Sequence, residues 1–146
     1  MKAIAQRVSR ASVTVSGETV GAIDEPGLLI LLGVTPPDTA RHAEVLAEKI
    51  WHLRMLEDEQ SCASINAPLL LVSQFTLYGD VRKGRRPSWT KAAGRAQSEP
   101  LYEYLVNYLR ALGAHVETGV FGAEMEVSLV NSGPFTMIVD TDELAV

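Results

Sequence analysis

A chain of 146 residues, 47% of them apolar and carrying a net charge of −5, is the size of one self-sufficient domain. We expect a single domain over residues 1–146. The acidic balance excludes a long, sequence-independent footprint on nucleic acid, which needs many phosphate contacts. The longest apolar run, residues 27–34, excludes a spanning helix of roughly 20 residues. With a lone Cys62 and an opening MKAIAQRVSR that lacks a signal peptide's apolar run, a soluble cytoplasmic protein is expected.

Ile4 to Val8 reads as a strand. Ala11, Val13 and Val15 alternate on the opposite parity, which places a bulge or turn near Arg10. Ser16-Gly17 is a tight turn, Thr19 to Ile23 returns, and DEPG turns again. The apolar run Gly27 to Val34 predicts a buried central strand. TPPD opens a helix with Asp38 as its N-cap, and Ala43, Leu46, Ile50 and Leu53 mark one apolar face. Residues 57–68 read as a polar loop, Leu69 to Phe75 as a second buried strand, and residues 78–87 as a charged loop. Ser98 is expected to cap the second main helix, with Leu101, Tyr104, Leu105, Tyr108 and Leu112 inward and Gly113 ending it. His115 to Thr118 is a short strand. Met125, Val127 and Leu129 alternate along a half-exposed strand, and Phe135 to Val139 closes the chain.

Between those last two strands stands Asn131-Ser132-Gly133-Pro134-Phe135-Thr136. Glycine and proline both disfavour strand interiors. On the residues alone this is a hairpin turn with Gly-Pro at its tip; the alternative is a fixed, cis Gly-Pro bond that aims two carbonyls. Seven or eight strands with two main helices, joined by hairpins, make an α+β fold with curved, mostly antiparallel sheet.

Familiar catalytic equipment is missing. There is no G-x-S-x-G elbow, P-loop, H-E-x-x-H or Cys-x-x-Cys. His42, His52 and His115 read as surface residues, the EDE and DTDE runs as solvated charge, and Cys62 as a thiol without a base. Two segments remain. RKGRR, with Arg82, Lys83, Arg85 and Arg86, reads as a solvated loop or as a small contact with a nucleic-acid end. Ser73-Gln74-Phe75-Thr76 follows the apolar run LLLV. It is either a strand end satisfying loose backbone groups or a site where a backbone N–H and an amide face a developing oxyanion.

QRVSRASVTV, VSQFTLYGD, KGRRPSW and SLVNSGPFT, in this order across nearly the whole chain, together resemble D-aminoacyl-tRNA deacylases. The resemblance implies a barrel-like α+β homodimer with active sites at the subunit interface. It implies hydrolysis of the ester joining a D-amino acid, or glycine, to the terminal ribose of tRNA. Gly133 and Pro134, joined by a cis bond, would reach the partner's pocket and exclude an L side chain, with Arg7 bracing them. Ser73, Gln74, Phe75 and Thr76 would form the pocket floor, with the Phe75 N–H as oxyanion donor, Gln74 positioning the substrate and Thr76 as hydrogen-bonding support. The Phe75 side chain and most of the tyrosines are expected in the core. The ribose 2′-hydroxyl would assist hydrolysis, so no base, metal or cofactor is implied. Arg82, Lys83, Arg85 and Arg86 would meet acceptor-stem phosphates, and no membrane partner is expected. Three departures stand out: Phe135 replaces a usual valine, Ser132 a common aspartate, and residues 57–68 are short. Two other readings are a non-catalytic module binding the tRNA acceptor end and a small-molecule esterase using Thr76.

Overall fold

A computed structural model describes residues 1–146. Its elements are β1 (Lys2–Val15), β2 (Glu18–Ile23), β3 (Gly27–Gly33), α1 (Ala40–His52), α2 (Cys62–Ile65), β4 (Leu69–Ser73), α3 (Arg95–Ala111), β5 (Val116–Thr118) and β6 (Glu126–Asp140). The sheet runs β2-β1-β3-β4-β5, and β6 pairs along β1. The pairings of β1 with β2, β3 and β6 are antiparallel; those of β4 with β3 and β5 are parallel. No helix is long and apolar enough to cross a membrane.

The parallel portion explains the two unbroken apolar runs. Leu28, Ile30, Leu69 and Leu71 pack with α1 and α3 residues such as Leu46, Ile50, Leu105 and Leu109. Leu29, Leu70 and Val72 point the other way, into a second cluster with Val8, Val13 and Ile23. Both sheet faces are covered, so few positions on these strands can be polar. The sheet curls until β2 meets β5. A Cβ at Gly21 would collide with the Thr118 carbonyl oxygen and stand 3.4 Å from Leu70 Cδ1. The result is the expected α+β fold, a mixed sheet nearly closed into a barrel. Gly21→Ala should force β2 from β5 and destabilise the fold by about 1–3 kcal/mol, read as a lower denaturant midpoint at unchanged m-value.

The strand count is smaller than expected because two expected breaks are bulges. β1 is continuous. Its buried positions are Ala3 and Ala5, then Val8, then Ala11 and Val13, and its register against β6 slips on both sides of Val8. β6 is also continuous, so the hairpin expected at Asn131–Thr136 does not form. Val8 pairs with Asn131 and Gln6 with Thr136, which leaves residues 132–135 extruded opposite Arg7. Glycine and proline do break the ladder there, but the chain never reverses. β6 pairs with β1 alone, and its Val130, Phe135, Met137 and Ile138 are exposed.

Several helix details also differ. Thr39, not Asp38, caps α1, and its N–H donates to His42 Nδ1 at 3.1 Å. Asp38 is buried and accepts from the Met1 ammonium at 2.6 Å and the Thr35 N–H at 2.8 Å. Gly94 is the N-cap of α3; Ser98 lies one turn in, and its hydroxyl donates back to the Gly94 carbonyl at 2.9 Å. The buried face of α3 is Tyr102, Leu105, Val106 and Leu109. Tyr104 and Tyr108 instead flank α1, donating to Glu44 and Glu48 at 3.1 Å, and Leu112 is exposed. Residues 57–68 are not a plain loop: Ser61 caps α2, which carries Cys62 fully into the core. Burial pushes the Cys62 thiol up to about 12, which keeps it inert.

Candidate active site

β4 ends at Ser73, and the ladder closes just beyond it with a bond from the Gln74 N–H to the Leu32 carbonyl, 2.7 Å. The chain then tightens into a 3₁₀ turn, Phe75–Tyr78. The first N–H groups of such a turn have no partner inside it. Neither the Phe75 nor the Thr76 N–H donates to any atom of the chain. These donors stand where β4 opens into a cleft of about 300 Å³. Leu32 and Val34 at the end of β3 and Val72, Ser73 and Gln74 at the end of β4 line it with Phe75; α3 adds Ser98 and Tyr102, the segment leading into β6 adds Phe121 and Met125, and β6 itself adds Val127.

The cleft is mainly apolar; its polar side chains are Ser73 and Gln74 from the end of β4 and Ser98 and Tyr102 from α3. The Gln74 amide donates to the Thr76 hydroxyl, so Thr76 is engaged as an acceptor. The Tyr102 hydroxyl donates to the Leu71 carbonyl at 2.8 Å, and desolvation raises its pKa well above the usual phenol value, keeping it neutral. No His, Asp, Glu, Lys or Cys lines the cleft. No group of three His, Cys, Asp or Glu side chains that could hold a metal comes together elsewhere.

Phe75 departs from expectation. The residue is 54% exposed, not core, and its ring meets the half-exposed Trp89 nearly edge to face at 5.4 Å between centroids. The strand stops two residues too early for Phe75 to turn inward. Tyr102, Phe121 and Met125 carry no site signal in the sequence. Aromatic residues at helical spacing read as core, and Tyr102 is indeed nearly buried; only the non-periodic VFGAEM segment hints at a wall that belongs to no helix or strand.

Arg7 sits elsewhere. Its Nε donates to the Ser132 carbonyl at 2.8 Å and its Nη2 to the Gly133 carbonyl at 2.5 Å. The planar guanidinium thereby fixes two successive carbonyls. The Phe135 ring lies 4.8 Å from Arg7 Cζ, within cation–π range, so this residue covers the arginine and does not fill core. The Gly133–Pro134 bond is cis. Within one chain, then, Ser73, Gln74 and Phe75 line the cleft, Thr76 joins them through its bond to Gln74, and Arg7, Gly133 and Pro134 form a separate group outside the lining.

The basic loop is partly committed. Arg82 binds Asp80 through both carboxylate oxygens, 2.6 to 3.1 Å, with Lys91 at 3.3 Å. Those bonds, chiefly from Arg82, hold the Asp80 carboxyl well below the usual range. Lys83, Arg85 and Arg86 are exposed.

Residues 4–140 match the family described as D-Tyr-tRNA(Tyr) deacylase. A D-aminoacyl-tRNA deacylase of Thermobifida fusca is 63% identical, covering 96% of this chain and 99% of its own. One of Cutibacterium acnes is 58% identical over 98% and 99%. A solved structure described as "c-Myc DNA Unwinding Element Binding Protein" superposes with a TM-score of 0.88 at 39% identity, covering 96% of this chain and 98% of that one. A second, described as "Structural Analysis of a probable eukaryotic D-amino acid tRNA deacylase", has a TM-score of 0.83 over 94% and 97%. At 17% identity it shows shared fold alone.

Proposed function

The chain belongs to the D-Tyr-tRNA(Tyr) deacylase family, and from that premise we propose that it hydrolyses the ester joining a D-amino acid, or glycine, to the terminal ribose of tRNA, and refuses the L-aminoacyl ester. The observation that carries the reading is the pair of unpartnered N–H groups at Phe75 and Thr76, beside Gln74, at the mouth of an apolar cleft. The terminal adenosine lies in the cleft against Tyr102, Phe121 and Met125, and the ester carbonyl faces the Phe75 N–H. Water adds to the carbonyl carbon. The oxyanion is held by preorganised backbone donors, the ester C–O bond breaks, and the proton goes to the leaving ribose oxygen. Gln74 orients the ester through its amide, and Thr76 holds Gln74.

Selection falls to the second group of residues. Gly133 and its carbonyl are exposed and lie outside the chain's own cleft. They serve the cleft of a second copy, docked along the exposed apolar side chains of β6. Main chain there accepts the α-amino group and hydrogen of a D residue or glycine and blocks an L side chain, a discrimination by steric exclusion. Lys83, Arg85 and Arg86 meet acceptor-stem phosphates, while Arg82 shapes the loop through Asp80.

The 39% identical structure, described as a DNA-element binding protein, favours one other reading, a nucleic-acid binder without hydrolysis. D-Tyr-tRNA, L-Tyr-tRNA and a free D-tyrosine ester separate the cases. Cleavage of the first alone is expected. Binding without cleavage would establish the binder, and rapid cleavage of the free ester an esterase centred on Thr76. Thr76→Ala should keep activity within about tenfold, the scale of one supporting hydrogen bond. Complete loss with intact tRNA binding would make Thr76 the nucleophile.

A further inference from the structure

We infer that Gln6 is a positioning residue for chiral selection: its carboxamide closes the neck of the Ser132–Phe135 excursion, so that the carbonyls gathered by Arg7 keep one position. The inference rests on the reading that Gly133 and Pro134 judge handedness. An excursion of this kind has two points of control, its crown and its neck. Arg7 holds the crown through the Ser132 and Gly133 carbonyls. The pairs Val8–Asn131 and Gln6–Thr136 bound the excursion, but the register slips between them and residues 132–135 have no partner on β1, so side chains across the neck decide how its two edges sit.

Gln6 spans the neck. Its Nε2 donates to Asn131 Oδ1 at 2.6 Å on the entering side and to the Phe135 carbonyl at 3.2 Å on the leaving side, and it shares the Arg7 carbonyl at 3.0 Å. Its Oε1 accepts from the Thr136 hydroxyl at 2.5 Å. One planar group therefore joins the residue before the excursion to the two that follow its proline. The chemistry demands an amide. Two of the partners across the neck are acceptors and one is a donor, and only a side chain that gives and takes at once satisfies all three. A carboxylate at position 6 would face the fixed Phe135 carbonyl oxygen with lone pairs, even if the Asn131 amide turned its NH2 inward. Asparagine would stop one methylene short.

The role predicts a split that loss of fold would not produce. In Gln6→Ala the neck loosens, so the D-tyrosyl ester is held less well and the L-tyrosyl ester is excluded less well. Glycyl ester, with no side chain to misdirect, changes least. The ratio of kcat/KM for D-Tyr-tRNA over L-Tyr-tRNA should fall at least about tenfold, with glycyl-tRNA cleavage lowered less than D-Tyr-tRNA cleavage and the thermal midpoint nearly unmoved. Gln6→Glu should behave like Gln6→Ala, although it preserves size. A D-to-L ratio unchanged in Gln6→Ala overturns the proposal. Should Gln6→Ala fail to fold, the double variant Asn131→Ala/Thr136→Val decides in its place, since it strips the carboxamide of a partner on each side. A lowered ratio supports the neck, and an unchanged ratio overturns it. Arg7→Ala, measured alongside, separates the role of Gln6 from the reading beneath it. If it abolishes discrimination while Gln6→Ala does not, only the role of Gln6 fails. If neither variant alters the ratio, the reading of Gly133 and Pro134 fails as well.

Discussion

Gly133→Ala is expected to lower kcat/KM on D-aminoacyl-tRNA by about 100-fold, the scale of a displacement near 1 Å at the reacting ester, while leaving the thermal midpoint of the chain in place. Nothing inside the chain asks for glycine at this position. Its φ lies outside the left-handed region that favours glycine, and an added Cβ would meet no atom within 4 Å. Gly21 gives the contrast: there the neighbouring carbonyl forbids a side chain, and substitution should register as lost stability. At Gly133 the extra methyl group has room within its own chain and, on the proposed reading, meets only the aminoacyl group bound in a second copy's cleft. Discrimination and stability should therefore separate in this variant. Unaltered cleavage of D-Tyr-tRNA by Gly133→Ala would remove Gly133 from the substrate's surroundings. A large drop in midpoint would show that the glycine serves the fold.

The parts of the fold that the sequence made legible are those where one physical demand dominates. β3 and β4 had to be apolar on both faces, and Ser16-Gly17 had to turn, with both residues at positive φ. The expected elements that failed are those where two demands compete. Asp38 has the chemistry of an N-cap, but a buried ammonium group outcompetes the helix for it, and Thr39 takes the cap. α3 carries apolar residues on more than one face, because Tyr104 and Tyr108 reach Glu44 and Glu48 across α1; periodicity alone therefore sets its buried stripe off register. Asn131–Thr136 has turn chemistry, yet pairing with β1 on both sides keeps the strand running straight through it.

The site divides in the same way. Ser73 to Thr76 announces itself because polar residues interrupt a buried run. Tyr102, Phe121 and Met125 do not, since a cleft wall and a core contact draw on the same side chains. Gln6 is invisible for another reason. A half-buried glutamine on a strand has no pattern of its own, and its partners across the excursion lie 125 to 130 positions away in the chain. Phe135 stands out in the sequence as a departure whose effect is open between pocket and core. Its ring on Arg7 gives it a third place, as cover for the guanidinium that holds the Ser132 and Gly133 carbonyls.

The second large effect belongs to the substrate. Replacing the terminal ribose 2′-hydroxyl by hydrogen, with the amino acid on the 3′ oxygen, should slow turnover at least about 100-fold, the lower range for a general acid–base contribution, with binding within severalfold. The cleft gives the reason. Its polar side chains are Ser73, Gln74, Ser98 and Tyr102. Gln74 does not titrate, Ser98 donates to the Gly94 carbonyl, and Tyr102 donates to the Leu71 carbonyl with its pKa driven further from neutrality by burial. None of these can take a proton from water near pH 7, and Thr76 is occupied by Gln74. A hydroxyl beside the ester is then the group best placed to pass the proton between attacking water and leaving oxygen; on the proposed reading the Phe75 N–H stabilises charge but moves no proton. A deoxy substrate turned over at the normal rate would show that the chain supplies this group itself. Thr76 would then be the first residue to test, because its hydroxyl lies nearest in sequence to the oxyanion donor and its bond to Gln74 could be exchanged when substrate binds.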